Sequence, residues 1–67
     1  MEKYKIQSNH LQIGKWQPAY LPPQGIGGVF TEPTEFNEKF DTKNGADNYV
    51  LDYLTKNGID KNNIEIL

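Results

Sequence analysis

The sequence has 67 residues, no cysteine and no arginine, and its nine Asp and Glu residues outnumber its seven Lys residues. This composition excludes disulfides and thiolate metal sites, and it argues against a nucleic-acid binder, which usually carries a basic stripe with arginine at the bases and phosphates. The length predicts a single small domain over residues 1–67. Three Phe, four Tyr and one Trp supply large apolar side chains for its core.

No stretch of the chain approaches the roughly 20 apolar residues of a membrane span. The first six residues, MEKYKI, carry charges where a signal peptide needs an apolar run. We therefore expect a cytoplasmic protein with no membrane contact.

The N-terminal third of the chain is predicted to be extended. Residues 3–7 alternate between polar and apolar side chains, which is typical of a half-buried strand. Residues 8–10 have the composition of a turn. Leu11 and Ile13 alternate again, and Gly14 is expected to break or bulge the strand.

Residues 16–21 are predicted to form a second extended run. Pro18 lacks a backbone N–H, so this run is expected to be bulged or to lie at a sheet edge. It ends at the sequence PPQG, and residues 25–28, GIGG, are the expected long loop.

The segment before the helix is ambiguous. Residues 29–31 are predicted to form a short strand before Pro33. In residues 34–40, Phe36 and Phe40 share one face both in a strand, together with Glu38, and in a helical turn. We favour the strand. Phe40 is then placed to pack under the first turn of the helix that follows, as in a hydrophobic staple.

A helix is predicted over residues 43–56, between two copies of the tetrapeptide TKNG. The apolar spacing is that of an amphipathic helix, and Asp47, Asn48 and Asp52 are expected on its polar side. The residues expected to be buried are Ala46, Tyr49, Val50, Tyr53 and Leu54.

The two TKNG copies have different predicted roles at the ends of this helix. Thr42 in the first copy is a good N-cap. Gly58 in the second copy suits the left-handed residue of a Schellman motif, with Ile59 against Leu54. Asp52 and Lys56 are expected to form an i,i+4 ion pair.

Residues 63–66 alternate and predict a short terminal strand. The chain is therefore predicted to be α+β, with a mostly antiparallel sheet of three or four strands packed on one helix in the order β-β-β-α, closed by a terminal β-strand.

The residues Trp16, Phe40, Thr42 and Ala46 carry a resemblance. Here the chain resembles a group of short bacterial proteins in which a strand with Gly-Lys-Trp and a Gly-rich turn precede Phe-x-Thr-x-x-x-Ala at the start of one helix. The resemblance implies a three-stranded sheet against a helix, and it implies no activity. The chain departs from it at Gly45, where those proteins usually carry an acidic residue. Its topology is also similar to that of plant-type AP2 DNA-binding domains, a likeness of fold that does not extend to function.

The candidate partner-binding residues lie in one aromatic and proline-rich stretch. Trp16, Pro18 and Tyr20 share one face of this stretch. If that face belongs to the core, these residues serve packing. If the Trp16 or Tyr20 ring is exposed, the stretch is a binding site, because Trp and Tyr are enriched at binding hot spots. We expect Trp16 to be mostly buried against the helix and the part from Tyr20 onward to be partly exposed. The candidates are Trp16, Pro18, Tyr20, Pro22 and Pro23.

No constellation in the sequence predicts catalysis. His10 is the only histidine and lacks metal-ligand spacing, and Ser8 near it has no orienting acid. The GIGG stretch lacks the spacing of a phosphate loop. The acidic residues at positions 32, 35, 38 and 41 are expected to be solvated surface. We therefore expect no enzyme activity, no cofactor and no metal.

Two classes of function remain. The first is a small non-catalytic protein-interaction module, which binds a protein partner or associates weakly with itself through a strand edge or an aromatic patch. The alternative is a nucleic-acid-binding module of the three-stranded-sheet type, suggested by topology; the absence of arginine and the net charge of −2 predict that it does not bind nucleic acid.

Overall fold

The described residues of the chain, 3–23 and 32–67 in a computed structural model, form an α+β arrangement. A 14-residue helix, α1, covers Lys43–Lys56 and is followed by a 3₁₀ turn at Lys61–Asn63. The strands are short: β1 Tyr4–Ile6, β2 Asn9–His10, β3 Trp16–Gln17, β4 Ala19–Leu21, β5 Thr34–Glu35 and β6 Ile64–Ile66.

Four of these strands form the main sheet, in the order β5-β4-β1-β6. Strand β4 is antiparallel to both β1 and β5, whereas β6 runs parallel to β1. The parallel pairing arises because α1 carries the chain back across the sheet before β6 begins. The predicted α+β class, the mostly antiparallel sheet and the terminal strand are confirmed.

The core lies between α1 and one face of this sheet. Ile6 pairs with Tyr20 on one side and with Ile66 on the other, so these side chains share a face. Val50 and Leu54 from α1 pack on Ile6, and all three side chains are almost fully buried. This contact holds the helix on the sheet.

Both predicted helix ends are confirmed. Thr42 is extended, and its hydroxyl accepts the N–H of Gly45 at 3.0 Å. A Cβ at Gly45 would lie 3.1 Å from that hydroxyl oxygen and 3.5 Å from the ring of Phe40, so the missing side chain leaves room for the cap and for Phe40 beneath it. A side chain here would crowd the Thr42 hydroxyl, whereas its Cβ would be at an ordinary contact distance from Phe40.

The C-terminal end of α1 is a complete Schellman motif. Gly58 has a φ of 89°, the left-handed region that glycine adopts without strain. Ile59 N–H donates to the carbonyl of Leu54 at 3.0 Å, and Gly58 N–H donates to that of Thr55 at 3.1 Å. Ile59 also packs against the core cluster that contains Leu54.

The predicted position of Asp47 on the polar side of the helix is wrong. Asp47 is only 4% exposed. The Ser8 hydroxyl donates to its Oδ1 at 2.6 Å, and Lys43 Nζ donates to its Oδ2 at 2.7 Å. The spacing of residues within the helix could not predict this contact, because Ser8 lies 39 residues away in the sequence.

The predictions for residues 8–13 are also wrong. Residues 9 and 10 form β2 rather than a turn, and β2 pairs with β3 as a separate two-stranded sheet. The turn lies instead between Leu11 and Lys15, where Leu11 N–H donates to the carbonyl of Lys15. Gly14, with a φ of 77°, allows this turn, and Ile13 is 73% exposed there.

The predicted edge strand over residues 16–21 is divided at Pro18. Strand β3 before it belongs to the small sheet, whereas β4 after it lies inside the main sheet, between β5 and β1. Pro18 needs no ladder donor at this break, and its carbonyl accepts the N–H of Phe36 at 3.1 Å. The edge alternative therefore holds for β3, one strand of the two-stranded sheet, and fails for β4, because the chain changes sheets at Pro18.

The predicted strand over residues 34–40 is shorter than expected. Strand β5 ends at Glu35, and Phe40 forms an isolated antiparallel bridge with Trp16. The strand predicted over residues 29–31 and the loop predicted over residues 25–28 lie outside the described residues.

Candidate functional site

A cluster of aromatic rings forms where α1, β4 and the segment after β5 meet. Phe36 is its centre. The Phe36 ring meets that of Tyr53 edge-on at 5.0 Å and that of Tyr49 edge-on at 5.3 Å, and it lies 6.0 Å from the ring of Tyr20. The rings of Tyr20 and Tyr53 are 6.2 Å apart. These separations are typical of favourable aromatic pairs.

The cluster continues at both ends. The Phe40 ring lies 5.3 Å from that of Tyr49, and the Tyr4 ring lies 6.1 Å from that of Tyr20. We call the connected rings the aromatic surface, which consists of Tyr4, Tyr20, Phe36, Phe40, Tyr49 and Tyr53.

Local structure fixes the positions of these rings. Tyr49 and Tyr53 are four residues apart on α1, so they project from the same side of the helix. The backbone of Phe36 is held at both polar groups: its N–H donates to Pro18, and its carbonyl accepts Gln17 Nε2 at 2.8 Å. The central ring is therefore anchored to the chain that enters β4.

The aromatic surface faces solvent at its helix side, whereas Tyr4, Tyr20 and Phe36 pack against the core cluster of Ile6, Val50 and Leu54. Tyr49 is 36% exposed and Tyr53 is 41% exposed, so the prediction that both are buried is wrong. The sheet is only a few residues long in each strand, and it covers the row formed by Ala46, Val50 and Leu54. The tyrosines lie at the margin of that row, where their rings stack on Phe36 instead of entering the core.

The tyrosine hydroxyls take no part in the hydrogen bonds formed among the described residues. No buried side-chain nitrogen or oxygen in that part of the chain lacks a partner. The hydroxyls of Tyr49 and Tyr53, on the exposed flank of α1, can therefore donate to or accept from a ligand.

The structure brings one of the five residues of the predicted site into this cluster. Tyr20 is half-buried and stacks on three other rings of the aromatic surface. Pro18 is fully buried at the break between β3 and β4, and Pro22 and Pro23 are half-buried beyond β4.

Trp16 has a different environment. Its side chain is half-buried, and its ring lies 4.9 Å from the exposed imidazole of His10. Its backbone exchanges two hydrogen bonds with Phe40, of 2.7 and 2.9 Å. Trp16 therefore ties the small sheet to the start of α1 and does not stack on the aromatic surface.

Sequence reasoning missed Phe36, Tyr49 and Tyr53 as site residues. The available signal was the i,i+4 pair of tyrosines, because two large side chains that each carry a hydroxyl suit the border between core and solvent. The stacking of Phe36 on this pair could not be predicted, since it depends on the pairing of β5 with β4.

Three ion pairs form among the charged side chains of the described residues. Lys43 forms an ion pair with Asp47. Lys56 forms the predicted ion pair with Asp52, at 3.1 Å. Lys15 pairs with Asp41, and the hydrogen bond and positive charge of this lysine lower the pKa of the Asp41 carboxyl from its ordinary value of 3.8. Within residues 3–23 and 32–67, no three His, Asp or Glu side chains are grouped to hold a metal ion.

Comparison with protein-family models, with curated proteins and with solved structures gives no match. In the described ranges no helix has the length and apolar character needed to cross a membrane.

Proposed function

We propose that the protein is a small non-catalytic interaction module that binds another protein through the aromatic surface. One observation carries this proposal: Tyr49 and Tyr53, two large side chains of the helix, remain more than a third exposed and stack on one central ring. Aromatic side chains in this setting are typical anchors of protein interfaces.

The packing of the domain supports this role for the rings. The core cluster of Ile6, Val50 and Leu54 is closed without Tyr49 or Tyr53. The rings are nevertheless held in place by mutual stacking and by the two hydrogen bonds at the Phe36 backbone. A preorganised ring loses little conformational entropy on binding, which favours affinity.

The nucleic-acid alternative has weaker support. Exposed rings can stack on bases, but binding of single strands also needs a positively charged groove along the phosphates. Three of the seven lysines, Lys15, Lys43 and Lys56, are paired with aspartates, and the chain has a net charge of −2.

Site-specific photo-crosslinking in the cell of origin tests the proposal. Tyr53 is replaced by a photoreactive benzoylphenylalanine, which keeps an aromatic ring at this position. We expect a discrete adduct with another protein after illumination. Excess purified wild-type protein should suppress this adduct in a lysate, whereas excess Tyr49→Ala protein should not.

Ile13 provides the matched control for this experiment. It is an apolar residue that is 73% exposed, and it lies in the turn between β2 and β3, outside the aromatic surface. The same photoreactive residue at position 13 should give no such adduct. Equal adducts from both positions, or none from position 53, would contradict the proposal, and an adduct between two copies of the chain would replace it with self-association.

A further inference from the structure

We propose that Asn57 is a site of spontaneous deamidation, and that the fold directs this modification to Asn57 rather than to Asn44. The proposal does not depend on the proposed function. The two copies of TKNG give both asparagines the same preceding residues and the same following glycine. Glycine lacks a Cβ, so its backbone nitrogen can approach the preceding side chain with little hindrance. The two asparagines therefore have similar intrinsic reactivity, and the structure around each of them decides which one reacts.

The reaction needs only water as a co-reactant. The backbone nitrogen of Gly58, after losing its proton to solvent, attacks the side-chain carbonyl carbon of Asn57. A C–N bond forms, the bond to Nδ2 breaks, and ammonia leaves a five-membered succinimide ring. Water then opens the ring at either carbonyl, which gives aspartate or isoaspartate at position 57. No oxidant or reductant takes part.

Ring closure requires rotation of the peptide group that joins asparagine to glycine. In the folded chain this group is held at both sites. Gly45 N–H donates to the Thr42 hydroxyl at 3.0 Å, and Gly58 N–H donates to the carbonyl of Thr55 at 3.1 Å. The rate at each site is therefore the fraction of time that this part of the helix is open, multiplied by a similar intrinsic rate.

Opening at Asn44 disturbs the buried side of the helix. Asn44 lies in the first turn of α1, and Ala46 and Asp47, which follow in that turn, are 0% and 4% exposed. Asp47 also accepts the side-chain hydrogen bonds of Ser8 and Lys43. The turn that contains Asn44 therefore opens only when contacts with the rest of the fold are disturbed.

Asn57 lies at the exposed end of the helix. It is the C-cap of α1, and Lys56 before it and Gly58 after it are also exposed. Its Nδ2 donates to the carbonyl of Tyr53 at 2.7 Å. Opening here breaks this bond and the backbone bonds of Gly58 and Ile59, but no buried carboxylate loses its partners. Helix ends fray at low cost, so Asn57 is the asparagine that reacts.

The product changes the end of α1. An aspartate at position 57 places a carboxylate beside the last helix carbonyls, where the macrodipole disfavours negative charge. It also lacks the Nδ2 donor that bonds to the carbonyl of Tyr53. Isoaspartate adds one carbon to the main chain and so moves Gly58 out of the Schellman geometry. Deamidation therefore loosens the helix turn that carries Tyr53.

Ageing of the purified wild-type protein in neutral buffer over days tests the proposal. Trypsin cleaves after Lys43 and Lys56, so each Asn-Gly pair begins its own peptide, residues 44–56 and 57–61. Mass spectrometry, with an isoaspartyl methyltransferase to label isoaspartate, gives the deamidated fraction of each peptide. We expect this fraction to grow at least about 10-fold faster at Asn57 than at Asn44.

Unfolding in concentrated urea is the matched control, because it removes the structure and keeps the sequence. Both asparagines should then react at similar rates. Thr42→Ala removes the N-cap and should raise the rate at Asn44 in the native protein by about 5-fold, while the rate at Asn57 stays unchanged. An unchanged rate at Asn44 in this variant would show that local opening does not govern the reaction.

The wild-type protein can also contradict the proposal directly. The proposal is wrong if neither site deamidates, if the two sites react equally in the native protein, if Asn44 reacts faster, or if the difference persists in urea. The effect on the helix end has its own pair of variants. Asn57→Asp should lower the Tm by about 2–6 °C, whereas Asn44→Asp, at the positive end of the macrodipole, should leave it unchanged or raise it. An equal Tm for both variants would overturn this effect.

Discussion

Asp47 links three parts of the chain that are distant in sequence. Its carboxylate accepts hydrogen bonds from Ser8, which follows β1, and from Lys43 in the first turn of α1. The same Lys43 Nζ donates to the backbone carbonyl of Leu67, after β6, at 2.6 Å. The buried carboxylate therefore ties α1 to the chain after β1, and its partner Lys43 also bonds to the residue after β6.

Substitution of Asp47 tests the energetic value of these contacts. Asp47→Ala leaves the buried Ser8 hydroxyl without its acceptor, and we expect a loss of about 1.5–3 kcal/mol in the free energy of unfolding, as for hydrogen bonds to charged groups. Urea unfolding measures this loss. Asp52→Ala is the matched control because its i,i+4 pair with Lys56 is exposed, and such pairs contribute about 0.3–0.5 kcal/mol.

If both substitutions lower the free energy of unfolding by the same small amount, Asp47 is solvated like Asp52. The difference between them is otherwise insensitive to helix propensity, since both replace aspartate by alanine inside the same helix.

At the scale of elements, α1 is defined by its two ends. Each end is formed by residues that are close together in the sequence. The N-cap joins Thr42 to Gly45. The Schellman motif joins residues 58 and 59 to residues 55 and 54. Local chemistry of this kind can be predicted from a single sequence, and the predicted helix over residues 43–56 agrees with the observed one.

The conformation of Gly58 gives a test of this helix end. A side chain at a φ of 89° is strained, so Gly58→Ala should destabilise the domain by about 1–2 kcal/mol. Gly58→Asn should lose less stability, because asparagine adopts the left-handed region more readily than alanine. Thermal unfolding of both variants ranks their stabilities. Equal stability of Gly58→Ala and the wild type would show that the helix does not end in this motif.

The strands could be predicted less well, for a physical reason. Strands β2, β3 and β5 have two residues each, which is too short for alternation to show a period. They are defined by pairing with distant segments, such as β5 with β4. The composition of residues 8–10 therefore indicated a turn, although residues 9 and 10 pair with β3. Pro18 indicated an edge or a bulge for all of residues 16–21, although β4 lies inside the main sheet.

At the scale of the whole molecule, the domain has more aromatic side chains than its short strands can cover. Only part of the candidate site followed from the sequence: the surplus of rings and the choice of Tyr20 as a candidate residue. The assembly of Tyr20, Phe36 and Tyr53 into one surface depends on how the helix packs on the sheet, which local patterns do not contain.

The exposure of the Tyr49 and Tyr53 rings is the claim on which the proposed function depends, and nitration of the native protein by tetranitromethane measures the exposure of each tyrosine. Peptide mass spectrometry then gives the order of reaction. We expect Tyr49 and Tyr53 to be nitrated first and Tyr4 and Tyr20 to react more slowly, since the latter two are less exposed. If Tyr49 and Tyr53 are instead protected until the protein unfolds, their rings belong to the core, and the aromatic surface cannot be a binding site.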